Sequence, residues 1–196
     1  CLILHADHEL NASAFSARVT SSTLSGIYSS VMAAIGTLKG PLHGGANEQV
    51  ARMLLEIKSP DRLEAWLEAA LASGEKIMGF GHRVYKEGDP RAKILKAMSR
   101  EITREVGHPE MYEMSARLEE LMGQRKGLIC NVDFYSASVY HSMGIPIDLF
   151  TPVFATSRVA GWCAHVLEQY QNNRIYRPRG KYVGPTGDVY TPIDER

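Results

Sequence analysis

Three glycine-bearing interruptions of an otherwise helical pattern each carry a histidine or an aspartate. The first, Gly-Pro-Leu-His-Gly-Gly-Ala-Asn over residues 40–47, places His43 within a residue or two of the start of a predicted helix. The positive potential at a helix N-terminus lowers the pKa of a histidine and favours the neutral imidazole. A neutral imidazole can donate a hydrogen bond to a carbonyl oxygen that is becoming an enol. The simpler interpretation, which position alone favours, is a helix-start turn whose histidine only satisfies backbone groups.

The second interruption, Gly-Phe-Gly-His-Arg-Val-Tyr-Lys-Glu-Gly-Asp-Pro-Arg over 79–91, combines His82 with an arginine. The glycines before His82 would let a ligand approach the backbone closely. Arg91 lies in the first turn of a helix predicted from Pro90, where a guanidinium and a helix N-terminus could both attract a carboxylate or a phosphate. The segment lacks the preceding strand and the third glycine of a dinucleotide-binding fingerprint. A flexible surface loop is the alternative.

The third interruption is Asn-Val-Asp-Phe-Tyr over 131–135, after the apolar residues 128–130. Asp133 stands between a valine and a phenylalanine. If it is partly buried, its pKa is raised, which suits a general base. A helix N-cap is an equally good interpretation of its position.

Two polar clusters lie outside these interruptions. His-Ala-Asp-His-Glu over 5–9 resembles a set of metal ligands, but its H-x-x-H spacing differs from the i, i+4 pair of a zinc-protease helix, and no cysteine is close. We therefore expect no metal site. The basic residues between 174 and 181, which include Arg177, are typical of a solvated tail and could instead supply anion ligands.

The elements that position these residues are predicted to be helices. Ser59 and Pro60 mark the start of one, whose apolar face comprises Leu63, Trp66, Leu67, Ala70 and Leu71. A second begins at Pro90, with Ile94, Leu95, Met98, Ile102 and Val106 expected to face inward. A third runs from 151 to about 170. Further helices are predicted over 11–22, 26–38, 47–57, 112–122 and 132–142, and an extended tail after 173. The fold class is therefore all-α with roughly eight helices.

Composition excludes several classes of protein. The 196 residues contain 22 Lys plus Arg and 22 Asp plus Glu, and a formal charge of zero argues against a dedicated nucleic-acid binder. Three sparse cysteines do not form a disulfide framework and indicate a reducing compartment, so we expect the cytoplasm. No run of about 18 apolar residues predicts a membrane span. The start, Cys-Leu-Ile-Leu without an initiator methionine, suggests a fragment of a longer chain.

In combination, these segments resemble the citrate synthase family. The matching segments are 5–9, 40–47, 79–91, 131–133, Ser-Arg at 157–158 and Arg-Pro-Arg-Gly at 177–180. The resemblance implies an all-α homodimer with a large and a small domain in each subunit. Residues 44–138 would be the small domain, and residues 1–43 and 139–196 would be part of the large domain. The N-terminal half of the same protein would be missing, and the helices over 11–22 and 26–38 would line the dimer interface.

The resemblance also implies roles for ten residues in condensing acetyl-CoA with oxaloacetate. Asp133 would be the base, His43 would bind the thioester oxygen, and His82 would polarise the oxaloacetate carbonyl. The substrate carboxylates would be bound by His8, Arg91, Arg158 and Arg177, the last reaching into the neighbouring subunit's site. Coenzyme A would contact Gly79, Lys86 and Asn131. No cofactor is implied beyond these substrates.

Two alternatives remain. A 2-methylcitrate synthase would use propionyl-CoA with the same catalytic set. A non-catalytic helical dimerisation module would not need the histidines, the aspartate and the arginines that this sequence retains, which speaks against it. We expect the chain alone to be inactive.

Overall fold

The computed structural model describes residues 1–82 and 84–196, and within them nine α-helices form. Their bounds are α1 Leu2–His5, α2 Ala12–Ser22, α3 Ile27–Leu38, α4 Ala46–Ile57, α5 Pro60–Ala72, α6 Pro90–Glu105, α7 Pro109–Lys126, α8 Val132–Ser142 and α9 Phe150–Gln171. Short 3-10 turns lie at Ile147–Leu149 and Ile193–Glu195. The described residues contain no strand beyond an isolated bridge. The predicted all-α class is confirmed, and all eight predicted helices form. The one-turn helix α1 was too short to leave a periodic signal.

Helix starts follow the local sequence. The side chains of Asn11, Asp89 and Asn131 each accept a hydrogen bond from a backbone N–H in the first turn of the helix that they precede. Such caps satisfy N–H groups that have no partner inside the helix. Pro60 occupies the first position of α5, as predicted, although Ser59 makes no side-chain cap. These caps fix the backbone beside several candidate site residues.

Two clusters of buried apolar side chains form the core. The larger joins α4, α5, α6, α7 and α8 and extends to Phe150 at the start of α9. The smaller joins α2, α3 and the rest of α9, where Ala14, Ala17 and Ala34 let the helices approach closely. Phe154, one turn after Phe150, belongs to the smaller cluster, so α9 connects the two. The division into domains at 43/44 and 138/139 stays a prediction.

The predicted inward face of α6 is wrong for three of its five residues. Leu95 is buried and Ile102 is half-buried, but Ile94, Met98 and Val106 are 38–50% exposed. The buried face instead comprises Ala92, Leu95, Ser99 and Thr103. The reason lies in the contact with α8, where the hydroxyls of Ser99 and Ser138 are 2.7 Å apart. Small side chains allow the two helices to approach closely, and the two serine hydroxyls satisfy each other's hydrogen-bonding capacity. Hydropathy alone therefore predicted the wrong buried face of α6.

The segment after α9 is extended and exposed from residue 173 to residue 196, apart from its last 3-10 turn, as predicted. Its start contacts α2, because the backbone N–H of Tyr176 donates to Ser22 Oγ at 3.1 Å and its ring packs edge-on against Phe15. None of the described helices is long and apolar enough to cross a membrane.

Candidate active site

A cavity of about 760 Å³ lies where the N-terminal ends of α2, α4, α6 and α8 approach α9. Its volume is typical of ligand pockets. Because four helices contribute first-turn N–H groups and positive potential, the cavity favours anionic ligands. Eight of the ten predicted site residues line it: His8, His43, Gly79, His82, Arg91, Asn131, Asp133 and Arg158.

Asp133 lies in the first turn of α8 and is not its N-cap. Asn131 holds that position and accepts a hydrogen bond from the N–H of Asp133 at 3.0 Å. Asp133 Oδ1 is buried and has no hydrogen-bond partner among the described residues. Burial raises the pKa of Asp133 to about 7, although the charges of Arg91 and Arg158 oppose this rise. Its carboxyl group therefore exchanges a proton near neutral pH, as a general base requires.

His43 lies three residues before α4, and the first turn of α2 holds its ring. The backbone N–H of Ser13 donates to Nε2 at 3.3 Å, and Ser13 Oγ lies 2.8 Å from the same nitrogen. Since a backbone N–H only donates, Nε2 accepts, and the neutral ring carries its hydrogen on Nδ1. Burial, followed by the charge of Arg158, lowers the pKa of His43 to about 4. The neutral imidazole expected from the sequence thus has burial as its main cause.

His82 has the opposite tautomer. Its Nδ1 accepts hydrogen bonds from the backbone N–H groups of Val84 and Tyr85, both at 3.0 Å. The neutral ring therefore carries its hydrogen on Nε2. Burial lowers the pKa of His82, the charge of Asp89 opposes this shift, and the charges of Arg91 and Lys86 add to it. A ring that stays neutral with a fixed tautomer can donate from Nε2 to a ligand oxygen.

His8 completes an aromatic cluster with His82 and Tyr85. The Tyr85 hydroxyl lies 3.2 Å from His8 Nε2, and the rings of His8 and His82 cross at 5.3 Å. Burial, followed by the charge of Arg91, lowers the pKa of His8. Gly161 on α9 allows the His8 loop to pack closely, because a Cβ there would lie 2.3 Å from the Ala6 carbonyl oxygen. Sequence reasoning missed both Tyr85 and Gly161.

Arg158 is a buried cation with spare hydrogen-bonding capacity. It is 1% exposed, its Nε donates to the His5 carbonyl at 2.5 Å, and its guanidinium lies 4.8 Å from the centre of the Phe154 ring. Nη1 is buried without a partner in the described part of the chain. Burial, followed by the charge of Arg91, lowers its pKa to about 10, so it remains charged at neutral pH. A buried, incompletely paired guanidinium is suited to a carboxylate ligand.

Arg91 is held differently, because it pairs with the cap of its own helix. Its Nε and Nη2 donate to the two carboxylate oxygens of Asp89 at 3.0 and 2.8 Å. Burial alone would raise the pKa of Asp89, but the hydrogen bonds and charge of Arg91 outweigh burial and lower it. A ligand carboxylate at Arg91 would therefore share the guanidinium with Asp89.

The loop after α5 is pinned against the segment before α8. The N–H of Gly81 donates to the Ile129 carbonyl at 2.8 Å, and the N–H of Asn131 donates to the Gly79 carbonyl at 2.9 Å. The side-chain amide of Asn131 donates to the Gly81 carbonyl at 3.1 Å. Gly79 has φ +84°, and a Cβ there would lie 2.8 Å from the Phe134 ring. Gly79 is thus required by backbone conformation and packing, whatever ligand approaches it.

Two predicted site residues lie apart from this cavity. Lys86 is exposed on the loop before α6, and Arg177 is exposed in the extended tail. Neither lines the cavity. Their roles toward coenzyme A and the neighbouring subunit stay predictions. Lys76 and Phe154 do line it and were not predicted. The position of Lys76, three residues before Gly79, was the available signal for the first, whereas nothing local distinguished Phe154.

His5 and His8 have different surroundings. His5 Nδ1 is 3.0 Å from the Cys1 carbonyl oxygen and its ring packs edge-on against Phe154, whereas His8 contacts Tyr85. Over residues 1–82 and 84–196, no group of three His, Cys, Asp or Glu side chains converges as metal ligands would.

Burial of the Asp133 carboxyl group should make the stability of the folded protein depend on pH. A carboxyl group whose folded pKa is about 7 and whose ordinary pKa is 3.8 binds more protons in the folded state, so its contribution to stability decreases as pH rises from 3.8 to 7. Asparagine has no charge to bury. A tenfold change in a protonation equilibrium is worth about 1.4 kcal/mol. Without substrates, Asp133→Asn should therefore raise the melting temperature at pH 8 but not at pH 4, as measured by calorimetry. An equal change at both pH values would contradict a buried, ionised Asp133.

The comparisons with known proteins agree with this geometry. A family model described as the C-terminal domain of citrate synthase matches residues 1–179. The chain belongs to the citrate synthase family. It is 62% identical over 195 residues to citrate synthase 2 of Bacillus subtilis (strain 168). That match covers 100% of this chain and 52% of the relative. The chain thus spans about half the length of the curated relatives that it matches.

Two further members of the citrate synthase family extend the comparison. The 2-methylcitrate synthase of Shewanella oneidensis is 50% identical over 195 residues, covering 100% of this chain and 52% of that protein. The solved structure of citrate synthase from Thermoplasma acidophilum, in a ternary complex with carboxymethyl coenzyme A and oxaloacetate, is 44% identical with a TM-score of 0.90. That match covers 100% of this chain and 53% of the solved one.

Proposed function

We propose that the full-length protein containing this chain condenses acetyl-CoA with oxaloacetate and hydrolyses the citryl thioester to citrate and CoA. The observation that carries the proposal is the convergence on one cavity of a buried carboxylate, three histidines with lowered pKa values, and two arginines. The ligands named for the Thermoplasma acidophilum structure, an analogue of coenzyme A and oxaloacetate, support the same substrate class.

Enol formation needs a base and a hydrogen-bond donor on opposite ends of the acetyl group. The methyl group is a very weak acid, so removing its proton requires stabilisation of the charge that develops on the thioester oxygen. Asp133, with a pKa of about 7, accepts the methyl proton. His43, neutral and with its hydrogen on Nδ1, donates to the thioester oxygen. A neutral donor matches an enol better than an imidazolium that would have to be desolvated.

Condensation then forms the new carbon–carbon bond. The enol carbon attacks the oxaloacetate carbonyl, and His82 donates from Nε2 to the oxygen that gains the electron pair. Burying two substrate carboxylates without partners would be costly. Arg158 supplies a buried guanidinium, Arg91 shares its own with Asp89, and His8 adds a donor. Water then cleaves the citryl thioester, releasing citrate and the CoA thiol.

Several parts of the proposed enzyme lie outside this chain or this subunit. The homodimer would bring Arg177 into the neighbouring subunit's site, and the N-terminal half would complete the coenzyme A site. Gly79, Lys86 and Asn131 would contact coenzyme A, with Lys86 as a point charge near a phosphate. We place the enzyme in the cytoplasm and propose no cofactor beyond the two substrates.

The test uses the purified full-length protein. Release of the CoA thiol from acetyl-CoA should depend on oxaloacetate, and citrate should be identified by mass spectrometry. The 196-residue chain alone should be inactive under the same conditions. A pure, folded full-length dimer that releases no thiol with oxaloacetate would overturn the proposed function.

The name of the Shewanella oneidensis relative favours a second candidate, 2-methylcitrate synthesis from propionyl-CoA. One additional methylene in an apolar pocket is worth only about 1–3 kcal/mol, which is roughly 10- to 200-fold in kcat/KM. We therefore expect the enzyme to use both acyl-CoA substrates and to prefer acetyl-CoA within that range. Competition between the two substrates in one reaction, with both products quantified, measures the ratio. A preference for propionyl-CoA would instead identify a 2-methylcitrate synthase.

A further inference from the structure

Four polar atoms around the proposed base have no hydrogen-bond partner among residues 1–82 and 84–196. They are Asp133 Oδ1, Arg158 Nη1, His5 Nε2 and Tyr140 Oη. Asp133 and Arg158 line the cavity, whereas His5 and Tyr140 do not. His5 is 0% exposed and Tyr140 is 2% exposed, so bulk water reaches neither side chain. Because buried polar groups are nearly always hydrogen-bonded, the two residues need an explanation that packing alone does not give.

Tyr140 lies on the same face of α8 as the base. Asp133, Ala137 and Tyr140 are spaced i, i+4 and i+7, which aligns them along one side of a helix. Long side chains on a helix lean toward its N-terminus, so the Tyr140 ring leans toward Asp133. Ala137 is fully buried and carries only a methyl group, so its own side chain does not separate them. The charge of Asp133 acts on the phenol, since it is the second cause, after burial, that raises the pKa of Tyr140 to about 12.

His5 offers Tyr140 a second acceptor. The two rings are 6.3 Å apart. His5 Nδ1 is 3.0 Å from the Cys1 carbonyl oxygen, which only accepts, so Nδ1 carries the hydrogen and Nε2 is an acceptor. Burial, followed by the charges of Arg91 and Arg158, lowers the pKa of His5 to about 3, so the ring stays neutral. The Tyr140 hydroxyl thus has two candidate acceptors, His5 Nε2 and the ionised carboxylate of Asp133, and it is bonded to neither of them among the described residues.

We propose that Tyr140 is a positioning residue for Asp133, whose ionised carboxylate accepts a hydrogen bond from the Tyr140 hydroxyl, directly or through one water molecule, while His5 Nε2 is the alternative acceptor. A hydrogen bond to the charged form favours that form and fixes its orientation. When Asp133 takes up the substrate proton, the hydroxyl can turn to His5. The inference rests on the proposed function, in which Asp133 is the base.

The other charged and titratable groups around Asp133 come from the helices packed beside it. Three of them act on Asp133 directly: Asp89 and Arg91 at the start of α6, and Arg158 on α9. The others lie on a different face of α8, where Glu119 of α7 pairs with Lys96 of α6 and accepts a hydrogen bond from Tyr135. None of these makes a hydrogen bond to the side chain of Tyr140 or of His5, and the backbone carbonyl of His5 that accepts from Arg158 is kept in His5→Asn. A change in the titration of Asp133 in such variants therefore reports on the proposed hydrogen bond.

Tyr140→Phe in the full-length enzyme removes the donor and keeps the ring. The midpoint of the acidic limb of kcat/KM for acetyl-CoA should move to higher pH, and kcat at pH 7 should fall by about 10- to 150-fold, the value of one hydrogen bond to a charged group. The KM for oxaloacetate should not change, because the arginines that would bind it are untouched. Tyr112→Phe, which removes a hydroxyl at the edge of the same core, is the matched control and should leave the midpoint unchanged.

His5→Asn should move the midpoint in the opposite direction. The asparagine amide can still donate to the Cys1 carbonyl, but no atom replaces Nε2. The Tyr140 hydroxyl is then left with the carboxylate as its acceptor, so the ionised form of Asp133 is favoured and the midpoint falls to lower pH. Midpoints that move in the same direction in both variants, or a Tyr140→Phe midpoint equal to the wild-type value, would overturn the inference.

A second measurement does not depend on activity. The full-length protein labelled with ¹³C at aspartate carboxyl groups is titrated by NMR, and the Asp133 signal is assigned by its loss in Asp133→Asn. We expect the same opposite displacements of the Asp133 midpoint in the two variants. If the wild-type protein lacks condensation activity, the proposed function fails, and this titration still decides whether Tyr140 and His5 act on Asp133. If either variant fails to fold, the sign of the displacement in the other decides it.

Discussion

Asp133→Asn is expected to lower kcat by about 100- to 10,000-fold, the range that a positioned general base contributes. The acetyl methyl group is so weakly acidic that neither His43 nor the substrate arginines can substitute for the base. The change replaces the carboxylate by an amide of the same shape. The helix cap at Asn131 is kept, because Asn131 accepts its hydrogen bond from the backbone N–H of residue 133. The fold and the affinity for oxaloacetate should therefore change little.

Three measurements on the full-length enzyme separate loss of the base from loss of the fold. Steady-state kinetics give kcat, calorimetric titration gives the Kd for oxaloacetate, and exchange of the acetyl methyl protons with deuterated water in the presence of an oxaloacetate analogue reports the proton-transfer step. Asp148→Asn, which changes an exposed aspartate in the 3-10 turn before α9, is the matched control. Near-normal turnover in Asp133→Asn would remove Asp133 as the base.

The positions of the helices could be predicted because their signals are local. Helix starts are predicted from residue type alone at Asn11, Pro60, Asp89 and Asn131. The spacing of apolar residues then predicts how far each helix extends. Five of the eight predicted site residues that line the cavity cluster for the same reason, since they stand within four residues of a helix start: His8, His43, Arg91, Asn131 and Asp133. The choice of buried face on α6 was not local. It depends on the serine pair between α6 and α8, which joins residues 39 positions apart.

The protonation states at the site also depend on distant residues. The tautomer of His43 follows from the N–H of Ser13, 30 residues away, and its lowered pKa follows chiefly from burial. Sequence reasoning expected a neutral ring but gave the helix N-terminus as the cause. The positioning role proposed for Tyr140 could not be inferred from the sequence, because it depends on the burial of its hydroxyl near His5 and Asp133 in the folded chain. Whether Arg177 reaches a second subunit stays a prediction.

Arg158→Leu is expected to weaken oxaloacetate binding far more than it weakens the fold. Removing one partner of a buried, hydrogen-bonded ion pair costs about 2–5 kcal/mol, which corresponds to roughly 30- to 4,000-fold in Kd. In the unliganded protein the same guanidinium is a buried cation, and no acidic side chain forms a salt bridge with it among the described residues. Leucine removes that desolvated charge while giving up one hydrogen bond to the His5 carbonyl and the contact with Phe154.

The decisive comparison measures melting temperature with and without oxaloacetate. A ligand that binds the folded state stabilises it in proportion to RT ln(1 + [L]/Kd), so wild type should melt at a higher temperature as oxaloacetate is added. Arg158→Leu should melt near the unliganded wild-type temperature and gain little from the ligand. Arg100→Leu, on the exposed side of α6, should behave as wild type. A full oxaloacetate-induced rise in Arg158→Leu would exclude this guanidinium as a carboxylate ligand, and a large loss of unliganded stability would mean that Arg158 mainly supports the fold.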